Sequence, residues 1–178
     1  MGRIVIIPQA IEDKLVRLTT LVEEVNGVLL YRPREQFCPC EASFITGVGH
    51  EGHVQADPQR TKVVNTFFER NPEYCFVKFH THTQETIRRF GDVYATNFSS
   101  LDIAGYDEQI RNDQRFIGMV VTPRTKLVYG HDDPSVYTME SFPEYRLRGA
   151  IIDEALLRVA RSLDIDLGHK YGRQKKSP

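Results

Sequence analysis

Short apolar runs closed by proline or a polar break alternate along this chain with apolar stripes spaced three and four residues apart. That alternation of periods is the pattern of an α/β fold in which helices lie across a sheet. Ile4 to Ile7 is a β-branched run stopped by Pro8 and reads as a strand. Ile11, Leu15, Leu18 and Val22 then mark one face of an amphipathic helix. Val25 to Tyr31 is apolar apart from Asn26 and Gly27, stops at Arg32-Pro33, and predicts a buried strand with Glu23 and Glu24 where it begins.

Further along, a polar connection carrying Cys38-Pro39-Cys40 leads to a strand over Ala42 to Val48, with Gly47, Gly49 and Gly52 in a turn. Asp57-Pro58 reads as an N-cap with proline at the first helical position. The apolar face of that second helix is Val63, Val64, Phe67 and Phe68, and Asn71-Pro72 ends it before a strand over Tyr74 to Phe79. Thr83 to Phe98 is polar, has no clear period, and is expected to be a long loop acting as a lid or substrate clamp. Ser99 or Ser100 caps a helix running to about Asn112 with Asp102 in its first turn. A hairpin follows, Phe116 to Val121 and Lys126 to Tyr129, then a loop rich in Pro and Asp. A long terminal helix carries the stripe Ile151, Ile152, Ala155, Leu156, Val159 and Leu163.

Composition narrows the function classes. A chain of 178 residues is most simply one domain with room for a real core. With 23 basic and 24 acidic residues, nothing global draws it to nucleic acid or to an anionic membrane. No apolar segment nears the roughly 20 residues of a spanning helix, and Met1 to Ile7 is too short for a secretory signal, so a soluble, cytoplasmic protein is expected. Cys38, Cys40 and Cys75 are too few, and odd in number, for a disulfide framework. A CxC without a matching pair is a weak hint of a second metal or redox site, and Cys75 reads as a small buried residue.

The chemistry-bearing motif is Phe79-His80-Thr81-His82. On a strand, alternate side chains share a face, so His80 and His82 project together, close enough to bind one ion. With a downstream carboxylate in Ser99-Ser100-Leu101-Asp102, two nitrogens and one oxygen make a zinc site. Three protein ligands leave the fourth tetrahedral position to water, the arrangement of catalytic zinc.

Glu24-Val25-Asn26-Gly27-Val28-Leu29-Leu30, His80-Thr81-His82 and Ser99-Ser100-Leu101-Asp102 follow one another as a glutamate opening a Gly-containing apolar strand, then HxH, then SxxD. In that order and context the chain resembles the JAMM (MPN+) zinc metalloprotease family from about Ile4 to Tyr129. A compact member of this kind resembles the stand-alone prokaryotic and archaeal forms. The resemblance implies a curved central mixed β-sheet flanked by helices, the cytidine-deaminase-like MPN architecture, with the zinc at one sheet edge. The expected organisation is a single JAMM/MPN-type catalytic domain over 1–168, and the residues from His169 through Lys170, Arg173, Lys175 and Lys176 to Pro178 read as a basic, flexible tail over 169–178.

The resemblance further implies one Zn2+ per chain on His80, His82 and Asp102. Glu24 would be the base that takes a proton from water and delivers it to the leaving amine. Ser99 would donate to the oxyanion, and only Ser99, rather than Ser100, has the family's distance to Asp102. The implied activity is deubiquitinase-like: hydrolysis of an amide or isopeptide bond at the C-terminus of a ubiquitin-like or sulfur-carrier protein. Two alternatives stand beside it, a non-catalytic MPN-type scaffold and a zinc hydrolase of a different amide. Two departures from the family pattern are Thr83, where a proline usually follows HxH, and the sixteen residues from Thr83 to Phe98, a longer separation than usual. His50 and His53 hint at a second metal site, His131 reads as a surface loop residue, and Arg88, Arg89 and the basic tail offer contacts to an acidic partner.

Overall fold

The computed structural model describes residues 2–49, 54–140 and 143–167. In chain order its elements are β1 (Ile4–Pro8), α1 (Gln9–Leu18), β2 (Val25–Tyr31), β3 (Phe37–Val48), α2 (Pro58–Arg70), β4 (Cys75–Thr81) and α3 (Gln84–Phe90). A 3₁₀ turn (Asp92–Ala95), α4 (Ser100–Asn112), β5 (Ile117–Val121), β6 (Lys126–Gly130), β7 (Ser135–Met139) and α5 (Pro143–Ser162) complete them. The strands form one seven-stranded sheet in the order β6-β5-β4-β2-β3-β1-β7. It is mixed: β4 runs parallel to β5, and β1 runs parallel to β3 and β7. The pairs of β2 with β3 and β4, and of β5 with β6, are antiparallel.

The two ends of that order approach each other. Lys126, at the start of β6, donates to Thr138 Oγ1 of β7 at 3.2 Å and forms an ion pair with Glu12 of α1. The sheet is thus rolled almost into a barrel with α1 across its inner face. Strand alternation sorts the core accordingly. Leu29, Tyr31, Val77, Phe79, Ile117, Met119 and Val121 turn inward onto Val5, Ile7 and Leu15. Val28 and Leu30 turn outward to meet Val63, Val64 and Phe67 of α2 and Ile152, Leu156 and Val159 of α5. A smaller cluster of Tyr106, Phe116 and Val120 seats α4 on β5. His80 and His82 follow the outward set, so they emerge on the side where α4 packs. No helix among the described residues is long and apolar enough to cross a membrane.

Several expectations need correction. Thr83 to Phe98 is not a loop: Thr83 caps α3, accepting from Thr86 N at 3.1 Å, and the 3₁₀ turn follows directly. A helix of seven residues with only Thr86 fully buried is too short to print an apolar stripe. Cys38-Pro39-Cys40 is not a polar connection but part of β3, within the inner core. Leu30 pairs with Ala42 and Tyr31 with Cys40, so Glu41 is an extra residue in a bulge. Its buried carboxylate accepts from Tyr74 Oη at 3.2 Å and from Arg148 at 3.3 Å. The expected Pro- and Asp-rich loop contains β7, a half-exposed strand on β1 whose outward residues break the apolar pattern. His50, His53 and the tail 169–178 lie outside the described residues.

Candidate metal centre

The site grows from the end of a central strand. On one side of β4, Asn26 of β2 pairs with His80; on the other, Val120 of β5 does. The histidines therefore sit in the middle of the sheet, not at its edge as expected. The antiparallel register with β2, continued two residues backward, brings Glu24 beside His82. Thr81 Oγ1 fastens that approach by accepting from Val25 N at 2.9 Å.

Asp102 arrives from the other direction. Ser99 is the N-cap of α4: its hydroxyl accepts from Asp102 N at 3.1 Å, and Asp102 Oδ2 accepts from Ser99 N at 2.7 Å, a reciprocal capping box. The cap fixes the Asp102 carboxylate over the histidines. Asp102 Oδ1 lies 3.0 Å from His80 Nε2, Asp102 Oδ2 lies 3.4 Å from His82 Nε2, and the two Nε2 atoms are 3.3 Å apart. Ligand bonds of about 2.0–2.1 Å at tetrahedral angles place donor atoms about 3.3 Å apart, so two imidazole nitrogens and a carboxylate at these separations are a group that can hold a metal ion.

The far nitrogens of both rings are engaged as metal ligands require. His82 Nδ1 lies 3.0 Å from the Tyr94 carbonyl, which can only accept, so Nδ1 holds the proton and Nε2 the lone pair. Tyr106 Oη donates to Met119 O at 3.2 Å and so accepts from His80 Nδ1 at 3.1 Å, giving His80 the same tautomer. The Tyr106 ring lies flat on β5 because residue 118 is glycine: a Cβ there would come within 2.7 Å of the ring.

The electrostatics match a site built for positive charge. Burial works against the Asp102 carboxylate, yet when His80 and His82 also carry a proton on Nε2 their hydrogen bonds, with that of Ser99, prevail and hold it far below the usual carboxylate range. Burial likewise opposes protonation of His82, but its bonds to Asp102 and the Tyr94 carbonyl raise its pKa. Burial pushes the Tyr106 phenol up, keeping it neutral.

No protein-family model and no curated protein matches the chain. The solution structure of protein DSY2949 from Desulfitobacterium hafniense is similar at 15% identity, with a TM-score of 0.50, over 80% of this chain and 97% of that one. That likeness speaks to the mixed α/β fold alone.

Glu24, His80, His82, Ser99 and Asp102 line one cleft of about 570 Å³. Glu24 is buried whereas Glu23 is exposed. Because Ser99 Oγ accepts its cap bond, its proton is left to donate elsewhere. Ser100, the alternative serine, is the first helical residue; it also lines the cleft but does not cap.

The other candidates fall away from this site. Cys38 and Cys40 are buried thiols whose pKa values are raised by burial, the opposite of a reactive pair. Cys75 packs against the inner core, and His131 is exposed in a turn. Arg88 is an exposed partner of Glu85. Among the described residues no other group of His, Cys, Asp or Glu converges in this way.

Tyr106 and the Tyr94 carbonyl were missed by sequence reasoning. Tyr106 lies four residues after Asp102 on one helix face, a readable signal, whereas a backbone carbonyl leaves none. Replacing Tyr106 with Phe removes the acceptor for His80 Nδ1 and is expected to weaken zinc binding about 10–100-fold with the fold retained. Competition against a fluorescent chelator measures this.

Proposed function

We propose that this chain is a zinc-dependent metallo-isopeptidase or peptidase of the JAMM (MPN+) type. The observation that carries the reading is the convergence of His80, His82 and Asp102 with Glu24 and Ser99 on a single cleft. The placement of HxH at the end of a central strand and SxxD at a helix N-terminus supports the cytidine-deaminase-like MPN architecture.

Zinc held by His80, His82 and Asp102 would supply Lewis acidity, polarising a scissile carbonyl and making water acidic enough to attack near neutral pH. Glu24 takes the proton of the attacking water and passes it to the departing amine, so one carboxylate serves as base and then acid. Ser99 gives its hydroxyl proton as a hydrogen bond to the carbonyl oxygen as that atom gains charge, a contribution of about 10²–10³-fold in rate. His80 and His82 keep their tautomers through Tyr106 and the Tyr94 carbonyl.

The substrate proposed is the amide or isopeptide linkage at the C-terminal glycine of a ubiquitin-like or sulfur-carrier protein, on the strength of the motif resemblance. The test incubates the protein with such a carrier linked through its terminal glycine to a lysine side chain. Cleavage is expected with zinc, is abolished by a chelator and returns when zinc is restored. A folded protein that binds no zinc overturns the reading in favour of a scaffold. A zinc-loaded protein that leaves the conjugate intact but cuts small peptide amides moves the substrate, not the chemistry.

A further inference from the structure

We propose that Thr86, on the helix that fills the long separation between HxH and SxxD, is the positioning residue for Glu24; the inference rests on Glu24 being the base of the proposed hydrolase. Glu24 precedes β2 and belongs to neither a helix nor a strand, so no ladder fixes its side chain. Its carboxylate is nonetheless buried, at 4% exposure, and needs a donor. Thr86 Oγ1 supplies one, 2.7 Å from Glu24 Oε1.

The direction of that bond is set by its surroundings. A carboxylate accepts, so the Thr86 proton goes to Glu24. Thr86 Oγ1 can then accept from Thr83 Oγ1, 3.1 Å away and nearer to it than the other acceptor of that hydroxyl, Val22 O at 3.5 Å. Two hydroxyls in series, both buried, polarise one another towards the carboxylate. The frame beneath them is tied down: Gln84 N donates to Thr19 O at 3.0 Å, and Thr83 caps the helix that carries Thr86. With Oε1 engaged, Oε2 is the oxygen left to take a proton.

A methyl in place of the Thr86 hydroxyl fills the same volume, so packing and function separate cleanly. In cleavage of the isopeptide-linked carrier, Thr86→Val is expected to lower kcat about 10- to 100-fold, the loss of one hydrogen bond to a charged group, with KM within about twofold. Thr86→Ser keeps the hydroxyl and stays near wild type, and Thr86→Val adds no further loss to Glu24→Gln. A second readout needs no zinc and no substrate: urea unfolding of the zinc-free protein. There Thr86→Val lowers the midpoint in the wild-type background but not in Glu24→Ala.

A folded, zinc-loaded Thr86→Val with wild-type kcat overturns the inference, as does an unfolding cycle without coupling. Wild-type inactivity towards the conjugate and small peptide amides alike brings down the hydrolase reading itself, and Glu24→Gln cutting as fast as wild type brings down Glu24 as its base. An inactive Glu24→Gln beside a fully active Thr86→Val sinks only the role of Thr86.

Discussion

Glu24→Gln is expected to reduce conjugate cleavage about 10²- to 10⁴-fold, the range for losing a positioned base, while zinc content stays at one per chain. The amide matches the carboxylate in size and its oxygen still accepts from Thr86 Oγ1, so the buried site keeps its shape. What disappears is a group able to carry a proton between the attacking water and the leaving amine. Parallel metal analysis and single-turnover cleavage measure the two quantities separately. Cleavage at the wild-type rate with zinc present assigns the base elsewhere.

Asp102→Ala is expected to take zinc from one per chain to background and to abolish activity with it. The variant loses more than one ligand oxygen, because the same carboxylate caps α4 by accepting from Ser99 N. Removal of a capping side chain costs about 1 kcal/mol, so the zinc-free protein should also melt slightly lower. Asp102→Asn separates the two roles: its amide oxygen can cap the helix, whereas it brings no charge to the metal. That variant should melt near the zinc-free wild type and still bind zinc far more weakly than the about 10–100-fold loss expected of Tyr106→Phe. Metal analysis and thermal unfolding on the same samples resolve the pair.

The elements that could be read from sequence are those whose own residues satisfy them. β2 is buried along its whole length and therefore had to be an apolar run. Asp57 accepts from Gln59 N and Arg60 N, which is what an Asp-Pro start to a helix predicts. The misread segments depend on distant partners. β3 continues through Pro39 because β1 lies beside it and a bulge at Glu41 absorbs the irregularity. β7 is a strand because β1 offers it a partner, with little apolar patterning of its own.

The same division holds at the site. His80, His82, Ser99 and Asp102 announce themselves because strand alternation and helix capping are local rules. Glu24 became legible only through a family pattern, since its place beside His82 depends on the register between β2 and β4. Thr86 and the Tyr94 carbonyl depend on how an irregular segment folds back, which no short-range rule encodes.

Besides its bonds to Glu24 and His82, that segment is sewn to the body elsewhere. Gln84 N bonds Thr19 O, Ala95 O accepts from Thr122 Oγ1 at 2.9 Å, and Arg124 pairs with Asp92 at 2.8 Å. It therefore cannot swing like a door without letting go of Glu24 and His82 together. Buttress and doorway are here the same piece of chain: excising it to widen the passage would bring down the wall it holds up.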